Sequence, residues 1–181
     1  DRLCPMCSWR RSYKIFGQVS QIMNLLGNNY RYIFLTFTVP NCEPEELNKL
    51  IGHDIVTRRS SGKRVHPTTI RYIWAREQTA DAALPHFHMM IFLNRDTYFK
   101  LGKFDSVEMN LANKVRMAWF KALSDDDVTI AFCIEKGLVH FPKNPEYYFG
   151  KGDEEQFYIM LMRAAYLAKQ NTKRRGEGYR C

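Results

Sequence analysis

Residues 85–93, Pro-His-Phe-His-Met-Met-Ile-Phe-Leu, are the stretch that decides the fold. Hydrophobic side chains stand at every second position from Phe87 to Leu93, and this alternation predicts a β-strand over 86–93. Successive strand side chains point to opposite faces, so His86 and His88 share the face that lies away from the hydrophobic row. The stretch therefore predicts a sheet with two imidazoles side by side on one face.

Other strands are predicted on both sides of this one. Residues 32–39 alternate between two sets, with Thr36 and Thr38 on the face opposite Ile33 and Leu35. Residues 69–78 are predicted to form a strand, and a hairpin connection over 79–85 joins it to the strand at 86–93. The apolar runs at 128–134 and 138–141 are also predicted to be strands.

Helices are predicted between these strands. An apolar stripe at helical spacing predicts a helix over 7–26 that ends at Gly27, with its buried face made by Trp9, Tyr13, Phe16, Val19, Met23 and Leu26. Pro44 opens a short helix, a basic loop follows at 57–68, Ser106 caps a helix that reaches about Leu123, and the last helix spans about 154–171. This order of elements predicts an α+β fold, a mainly antiparallel sheet flanked by helices.

Composition and charge narrow the function. The chain has 181 residues, 45% of them hydrophobic, which is enough for one domain with a real core. The net charge of +8 favours an acidic partner, nucleic acid ahead of a membrane surface. No apolar run reaches the ~20 residues of a membrane span. The odd number of five cysteines favours reduced thiols and a cytoplasmic location.

The histidine pair predicts a metal site. Two imidazoles on one strand face are suited to hold a single ion, and Glu77, at the end of the paired strand nearest the hairpin, is the favoured third ligand. Gln78 and Asp81 are rivals for that position. Nitrogen and oxygen ligands of this kind suit Mn²⁺ or Mg²⁺, with Zn²⁺ as an alternative.

Tyr166 is the candidate nucleophile. It lies off the apolar stripe of the last helix, and its helical neighbours include Arg163, Lys169 and Lys173. We expect such cations to favour the phenolate and so to activate the phenol toward phosphorus. The alternative is an ordinary tyrosine at the edge of the core, and the competing tyrosines are Tyr147, Tyr148 and Tyr158.

Two further groups of residues have a binding interpretation. Cys4 and Cys7 have the spacing of half a structural Zn²⁺ site, although two free thiols before a helix explain them equally well. The basic runs are expected to hold phosphates in a salt-dependent manner, and they comprise Lys63, Arg64, Lys173, Arg174, Arg175 and Arg180.

These motifs resemble those of the HUH endonucleases, and within them the rolling-circle replication initiators. Residues 3–51 resemble bacterial plasmid initiators through Leu-Cys-Pro-Met-Cys-Ser-Trp-Arg-Arg at 3–11 and Phe-Leu-Thr-Phe-Thr-Val-Pro-Asn-Cys at 34–42. Residues from about 62 to 181 resemble inovirus-type replication proteins, the YagK/YfjJ family. The motifs of that second segment lie at 70–78, 85–88, 138–142 and 166–169. Either the two families grade into each other or the chain was recombined near 52–62.

The resemblance implies one replication-initiator domain over 1–181, and the first residues, Asp-Arg-Leu-Cys, lead us to expect further sequence upstream. It implies Tyr166 as the catalytic tyrosine with Lys169 as its companion, and His86, His88 and Glu77 as metal ligands. The implied reaction nicks single-stranded or hairpin origin DNA, leaving a 5′-phosphotyrosine and a free 3′-hydroxyl, with a host helicase and polymerase as partners. The glutamate that some plasmid initiators carry one turn before the tyrosine is absent, since Met162 and Arg163 stand there.

Two other classes of function remain open from the sequence. The first is a non-catalytic module that binds single-stranded or hairpin DNA, as a repressor would. The second is a metal-dependent RNA or nucleotide phosphodiesterase without a covalent step. The coexistence of His86, His88, Glu77 and Tyr166 favours the nicking enzyme, because a binding module does not need that set.

Overall fold

The computed structural model describes residues 4–38, 45–77, 86–123 and 127–168. Its elements, in chain order, are α1 (Pro5–Leu26), a 3₁₀ turn (Gly27–Asn29), β1 (Tyr30–Thr38), α2 (Glu45–Ser60), β2 (Arg71–Glu77), β3 (His86–Asn94), α3 (Leu111–Leu123), α4 (Ile130–Lys136), β4 (Val139–His140), β5 (Glu146–Tyr147) and α5 (Glu154–Ala168). All strand pairs are antiparallel, in the order β2-β3-β1-β4, and β5 pairs with β1 as well. The predicted α+β fold is confirmed.

The strand alternation divides the protein into two apolar cores, one on each face of the sheet. Ile33, Leu35 and Phe37 of β1 face α2 and α3 together with the hydrophobic row of β3. Tyr32 and Phe34 face α1 and α5 together with Met90 and Phe92. Since His86 and His88 alternate with the first row, they lie together on the opposite face, as predicted, and that is the face covered by α1 and α5.

Helices α1 and α5 lie side by side on that face and run in opposite directions. The 3₁₀ turn reverses the chain from α1 into β1, and the Tyr32 hydroxyl donates to the Gly27 carbonyl at 2.9 Å. The end of α1, at Met23 and Gly27, lines one cleft with the residues that begin α5. The start of α1 and the end of α5 therefore both lie toward the edge of the sheet where Thr38, His86 and Glu77 pair.

One predicted strand is a helix. Residues 130–136, which overlap the predicted strand at 128–134, form α4. The Thr129 side chain accepts a hydrogen bond from the Phe132 amide at the start, and Gly137 ends the helix with a left-handed φ of 62°. A short apolar run does not distinguish a buried strand from a buried helix, and here the two capping residues decide.

Two helix boundaries also differ from the prediction. Ser106 does not cap α3, because the helix starts at Leu111 and the Asn110 side chain accepts the hydrogen bond of the Asn113 amide at 2.9 Å. The predicted loop at 57–68 is partly helical, since α2 continues to Ser60. In both places the helix boundary is set by a hydrogen bond or a packing contact that polarity does not reveal.

The first half of α1 does not bury the predicted stripe. Trp9 and Tyr13 are 61% and 68% exposed, whereas Val19 and Met23 in the second half are buried.

Among the described residues, no helix combines the length and the apolarity needed to cross a bilayer.

A charged network joins α2 to α3. The Asp54 carboxylate accepts from the Lys114 ammonium at 3.0 Å and from the Tyr98 hydroxyl at 2.7 Å. Burial alone would raise the pKa of Asp54, but hydrogen bonds from Tyr98 and Lys114 outweigh burial, so that pKa is lowered. The network therefore stabilises the fold whenever Asp54 is ionised.

Asp54→Asn is expected to lower the free energy of unfolding by about 2 kcal/mol at pH 7, because Lys114 loses its counter-charge in a partly buried position. The depressed pKa makes the wild-type contribution complete above pH ~4 and lost as the pH falls through the folded-state pKa. Urea unfolding across pH 3 to 7 measures both effects. Asp105→Asn, at an exposed carboxylate, is the matched control, and equal effects of the two changes would contradict the assignment.

Candidate active site

The candidate site lies where three strands come together at one edge of the sheet. His86 pairs with Thr38 of β1 on one side and with Glu77 of β2 on the other. His88 pairs with Thr36 of β1, two residues further into the sheet. The antiparallel register thus brings the predicted third ligand next to the histidine pair.

Glu77 is the centre of the contacts at this edge. Its Oε2 atom lies 2.6 Å from His88 Nε2 and accepts a hydrogen bond from the Tyr166 hydroxyl at 2.9 Å. The Tyr166 ring also meets the His88 ring edge to face, with centroids 4.9 Å apart. Three of the residues predicted from sequence are therefore in mutual contact, although β2, β3 and α5 supply one each.

Helix α5 places Tyr166 through its buried stripe. Met160, Ala164 and Leu167 pack into the core between α1, α5 and the sheet, so Tyr166 falls at the edge of that stripe. Its side chain is 39% exposed, while those of His88 and Glu77 are 20% and 14% exposed. A large substrate can thus reach the phenol, while the groups beneath it are held by packing.

Two threonines that the sequence did not assign to the site hold the histidine rings. Thr36 Oγ1 lies 3.0 Å from His88 Nδ1, and Thr38 Oγ1 lies 3.4 Å from His86 Nδ1. A hydroxyl on Nδ1 fixes the ring orientation and leaves Nε2 as the nitrogen available to a ligand. The signal was present in the alternation of 32–39, which places both threonines on the histidine face.

The donor set fits a divalent ion in its chemistry. Two imidazoles steadied at Nδ1 and one carboxylate are the ligands expected of a Mn²⁺-type site. In this structure, however, His88 and Glu77 are hydrogen-bonded to each other, and the described part of the chain contains no group of three His, Cys, Asp or Glu side chains gathered to hold an ion. An ion at His88 Nε2 would take the place of the hydrogen bond to Glu77, with Nδ1–H then donating to Thr36.

Among the described residues, the pKa of Tyr166 is not lowered as its cationic neighbours led us to expect, and two of those neighbours, Lys169 and Lys173, lie outside the described ranges. Burial raises the pKa of Tyr166, and the hydrogen bond and negative charge of Glu77 raise it further. Arg163 lowers that pKa, as predicted, but with a smaller effect than these causes. The neutral phenol is therefore the favoured form, and a base is needed to remove its proton.

The remaining predicted residues are spread over the molecule. Arg163 is exposed on α5, with its guanidinium 5.8 Å from the Phe34 ring centroid. Lys63 and Arg64 are exposed in the loop before β2, at the end of that strand far from Glu77. The other predicted residues lie outside the described ranges, and these are Lys169, Lys173, Arg174, Arg175, Arg180, Gln78 and Asp81.

Cys4 and Cys7 are exposed free thiols at the start of α1. The Cys7 amide donates to Cys4 Sγ at 3.3 Å, so Cys4 serves as the N-cap of the helix. The hydrogen bond from Cys7 lowers the pKa of the Cys4 thiol. Within the described ranges, no further cysteine, histidine or carboxylate completes a Zn²⁺ site around the pair.

Comparison with known proteins gives the family. The YagK/YfjJ C-terminal domain matches residues 45–181, which is more than half of the chain. The chain belongs to this family. The match includes Glu77, His86, His88 and Tyr166, so every residue predicted to act chemically lies inside the family domain.

Relatives extend the comparison. The chain is 31% identical to YagK of Escherichia coli (strain K12) over 153 residues, which covers 78% of the chain and 69% of YagK. It is 32% identical to YfjJ of the same organism over 139 residues, with 74% of the chain and 64% of YfjJ covered. Residues 62–181 are a smaller share of the chain than the 78% that matches YagK. The match therefore also includes part of 3–51, the segment that resembles plasmid initiators.

Proteins named "Protein rep" are similar over a shorter length. The protein named "Protein rep" of Streptococcus pneumoniae serotype 2 is 33% identical over 108 residues, which is 55% of this chain and 33% of that protein. The chain thus spans about two thirds of YagK and YfjJ and one third of this Rep protein. No solved structure matches the chain.

Proposed function

We propose that this protein is a replication initiator that nicks single-stranded DNA and becomes joined to it through Tyr166. The observation that carries the proposal is the contact of the Tyr166 phenol with Glu77, which also contacts His88, at an accessible edge of the sheet. The similarity to proteins named Rep supports DNA as the substrate. The charge of +8 is in keeping with a polyanionic partner.

Glu77 is proposed to act as the general base. Its carboxylate oxygen is 2.9 Å from the phenol oxygen, within the range for direct proton transfer. In the proposed step, the Tyr166 oxygen attacks phosphorus and its proton passes to Glu77. A bond forms between the tyrosine oxygen and phosphorus, the bond from phosphorus to the 3′-oxygen breaks, and that oxygen leaves as a 3′-hydroxyl after taking a proton from water. Because the pKa of Tyr166 is raised, this base is required.

His86, His88 and Glu77 are the residues that would hold a divalent ion. When bound, such an ion polarises the phosphodiester and stabilises the charge that develops on its oxygens. The protein's part is to orient the rings through Thr36 and Thr38. Glu77 would serve both as ligand and as proton acceptor, since a carboxylate has two acceptor oxygens.

The proposal is tested by a search for the covalent product. The protein is incubated with Mn²⁺ and an end-labelled pool of randomised single-stranded oligonucleotides, and the product is resolved under denaturing conditions. A denaturant-resistant protein–DNA band is expected, and sequencing the trapped DNA gives the preferred cleavage site. Binding to the pool without any covalent band would instead indicate the non-catalytic DNA-binding module.

Thr36→Val is expected to weaken Mn²⁺ binding by about 10-fold or more, because His88 loses the partner that orients its ring. Thr38→Val is the matched control, since the bond that it removes is longer, 3.4 Å against 3.0 Å, and its effect should be smaller. Calorimetric titration with Mn²⁺ compares the two variants. A larger loss from Thr38→Val would place the more important ring at His86.

A further inference from the structure

An exposed pair of stacked aromatic rings stands on the first half of α1. Trp9 and Tyr13 lie one helical turn apart, with ring centroids 5.6 Å apart and planes inclined by 19°. They are among the most exposed large hydrophobic side chains that the structure describes. Ser8 and Ser12, on the neighbouring face, are half-buried. The two rings are therefore not part of either core.

The charges around the pair are of one sign. Arg10 and Lys14 are exposed on the side of the helix next to the rings, Arg11 is exposed further round it, and α1 contains no aspartate or glutamate. Arg10 and Lys14 are four residues apart and Arg11 and Lys14 three, and like charges at these spacings repel each other on a helix. The arrangement is thus unfavourable for the isolated helix and becomes favourable when a polyanion lies against it.

The position of the pair relates it to the candidate site. Because α1 and α5 run in opposite directions on one face, their free ends lie toward the same edge of the sheet. From Met23 back to Trp9 the helix extends about 21 Å, and from Glu154 to Tyr166 it extends about 18 Å, at about 1.5 Å per residue. Trp9 and Tyr166 are therefore at a similar height along the sheet.

We infer that this aromatic and basic face of α1 binds the single-stranded DNA that leads to Tyr166, with bases stacking on Trp9 and Tyr13. Flat aromatic faces bind any base, and interleaved cations hold the phosphates, which is how proteins grip single strands without reading sequence. Duplex DNA offers no free base to stack, so single strands are preferred. The inference rests on the proposed function for its substrate, but not on the covalent step.

Fluorescence anisotropy titration of dye-labelled oligothymidylate tests the inference, in buffer without divalent ions so that no cleavage competes. The Trp9→Ala/Tyr13→Ala variant should bind the oligonucleotide about tenfold more weakly than wild type, with duplex binding unchanged. Leu25→Ala is the matched control, because Leu25 is 86% exposed on the same helix but outside the aromatic pair. Trp9→Phe/Tyr13→Phe, which keeps two stacking rings, should bind as wild type does.

The emission of Trp9 gives a second readout. The chain has three tryptophans, of which Trp74 is half-buried and Trp119 is buried, so oligonucleotide quenching should come from Trp9 and disappear in Trp9→Phe. An affinity of the double alanine variant within twofold of wild type would overturn the inference. It would also be overturned if the wild-type protein sediments as a dimer and the double alanine variant as a monomer, because the aromatic pair would then bind a second copy of the chain. Failure of the nicking proposal is a separate result, since it appears as binding that depends on Trp9 without a covalent band.

Discussion

Tyr166→Phe is expected to abolish the covalent protein–DNA product, with a rate at least about a thousandfold below wild type, the order of loss seen when an enzyme loses its nucleophile. The change removes only the oxygen that forms the bond to phosphorus. The remaining ring keeps the edge-to-face contact with His88, so the site retains its packing. The lost hydrogen bond to Glu77 belongs to a side chain that is 39% exposed, and the free energy of unfolding should fall by no more than about 1 kcal/mol.

The matched control is Tyr158→Phe on the same helix. Tyr158 is 61% exposed and is two helical turns away from Tyr166, so it meets solvent and DNA under similar conditions. Its variant should form the adduct at the wild-type rate. Adduct formation by Tyr166→Phe, measured on the same denaturing gel, would transfer the role of nucleophile to another tyrosine. Oligonucleotide affinity should stay within about twofold of wild type in both variants, because stacking rather than the hydroxyl governs binding to bases.

The residues of the site were predictable because each depends on a local periodicity. The alternation at 86–93 gives the shared face of His86 and His88, and the short hairpin connection fixes Glu77 opposite them. The helical period of 154–168 likewise gives Tyr166 at the edge of the buried stripe. The helical period did not predict which residue the Tyr166 side chain contacts. Glu77 lies 89 residues before Tyr166, and burial together with this distant carboxylate outweighs Arg163 on the same helix and raises the tyrosine pKa.

The exposed start of α1 shows a different limit. The stripe that includes Trp9 and Tyr13 has helical spacing, but spacing does not reveal which part of the stripe packs against the core. Of the 22 residues of α1, Val19 and Met23 in the second half are buried, whereas Trp9 and Tyr13 in the first half are exposed. For α4, the sequence does contain a helix signal, because Thr129 and Gly137 are typical capping residues at the two ends of the apolar run.

His86→Ala/His88→Ala is expected to lower Mn²⁺ affinity by more than about 100-fold, because both imidazole ligands are removed. Removing a residue that only hydrogen-bonds to a ligand already lowers metal affinity by about 10–100-fold. Calorimetric titration with Mn²⁺ measures this without any DNA present. His66→Ala is the matched control, since His66 is exposed in the loop at the opposite end of β2. Unchanged Mn²⁺ affinity in the double variant would exclude the histidine pair as the metal site.

Glu77→Gln separates the two roles proposed for the carboxylate. An amide oxygen can still coordinate an ion, so Mn²⁺ affinity should fall by only about 10-fold, well short of the loss in the histidine variant. An amide cannot accept the phenol proton, so the rate of adduct formation at saturating Mn²⁺ should fall by about 100-fold. If saturating Mn²⁺ restores the wild-type rate, Glu77 acts as a ligand alone, and the base that the raised pKa of Tyr166 requires must be another group.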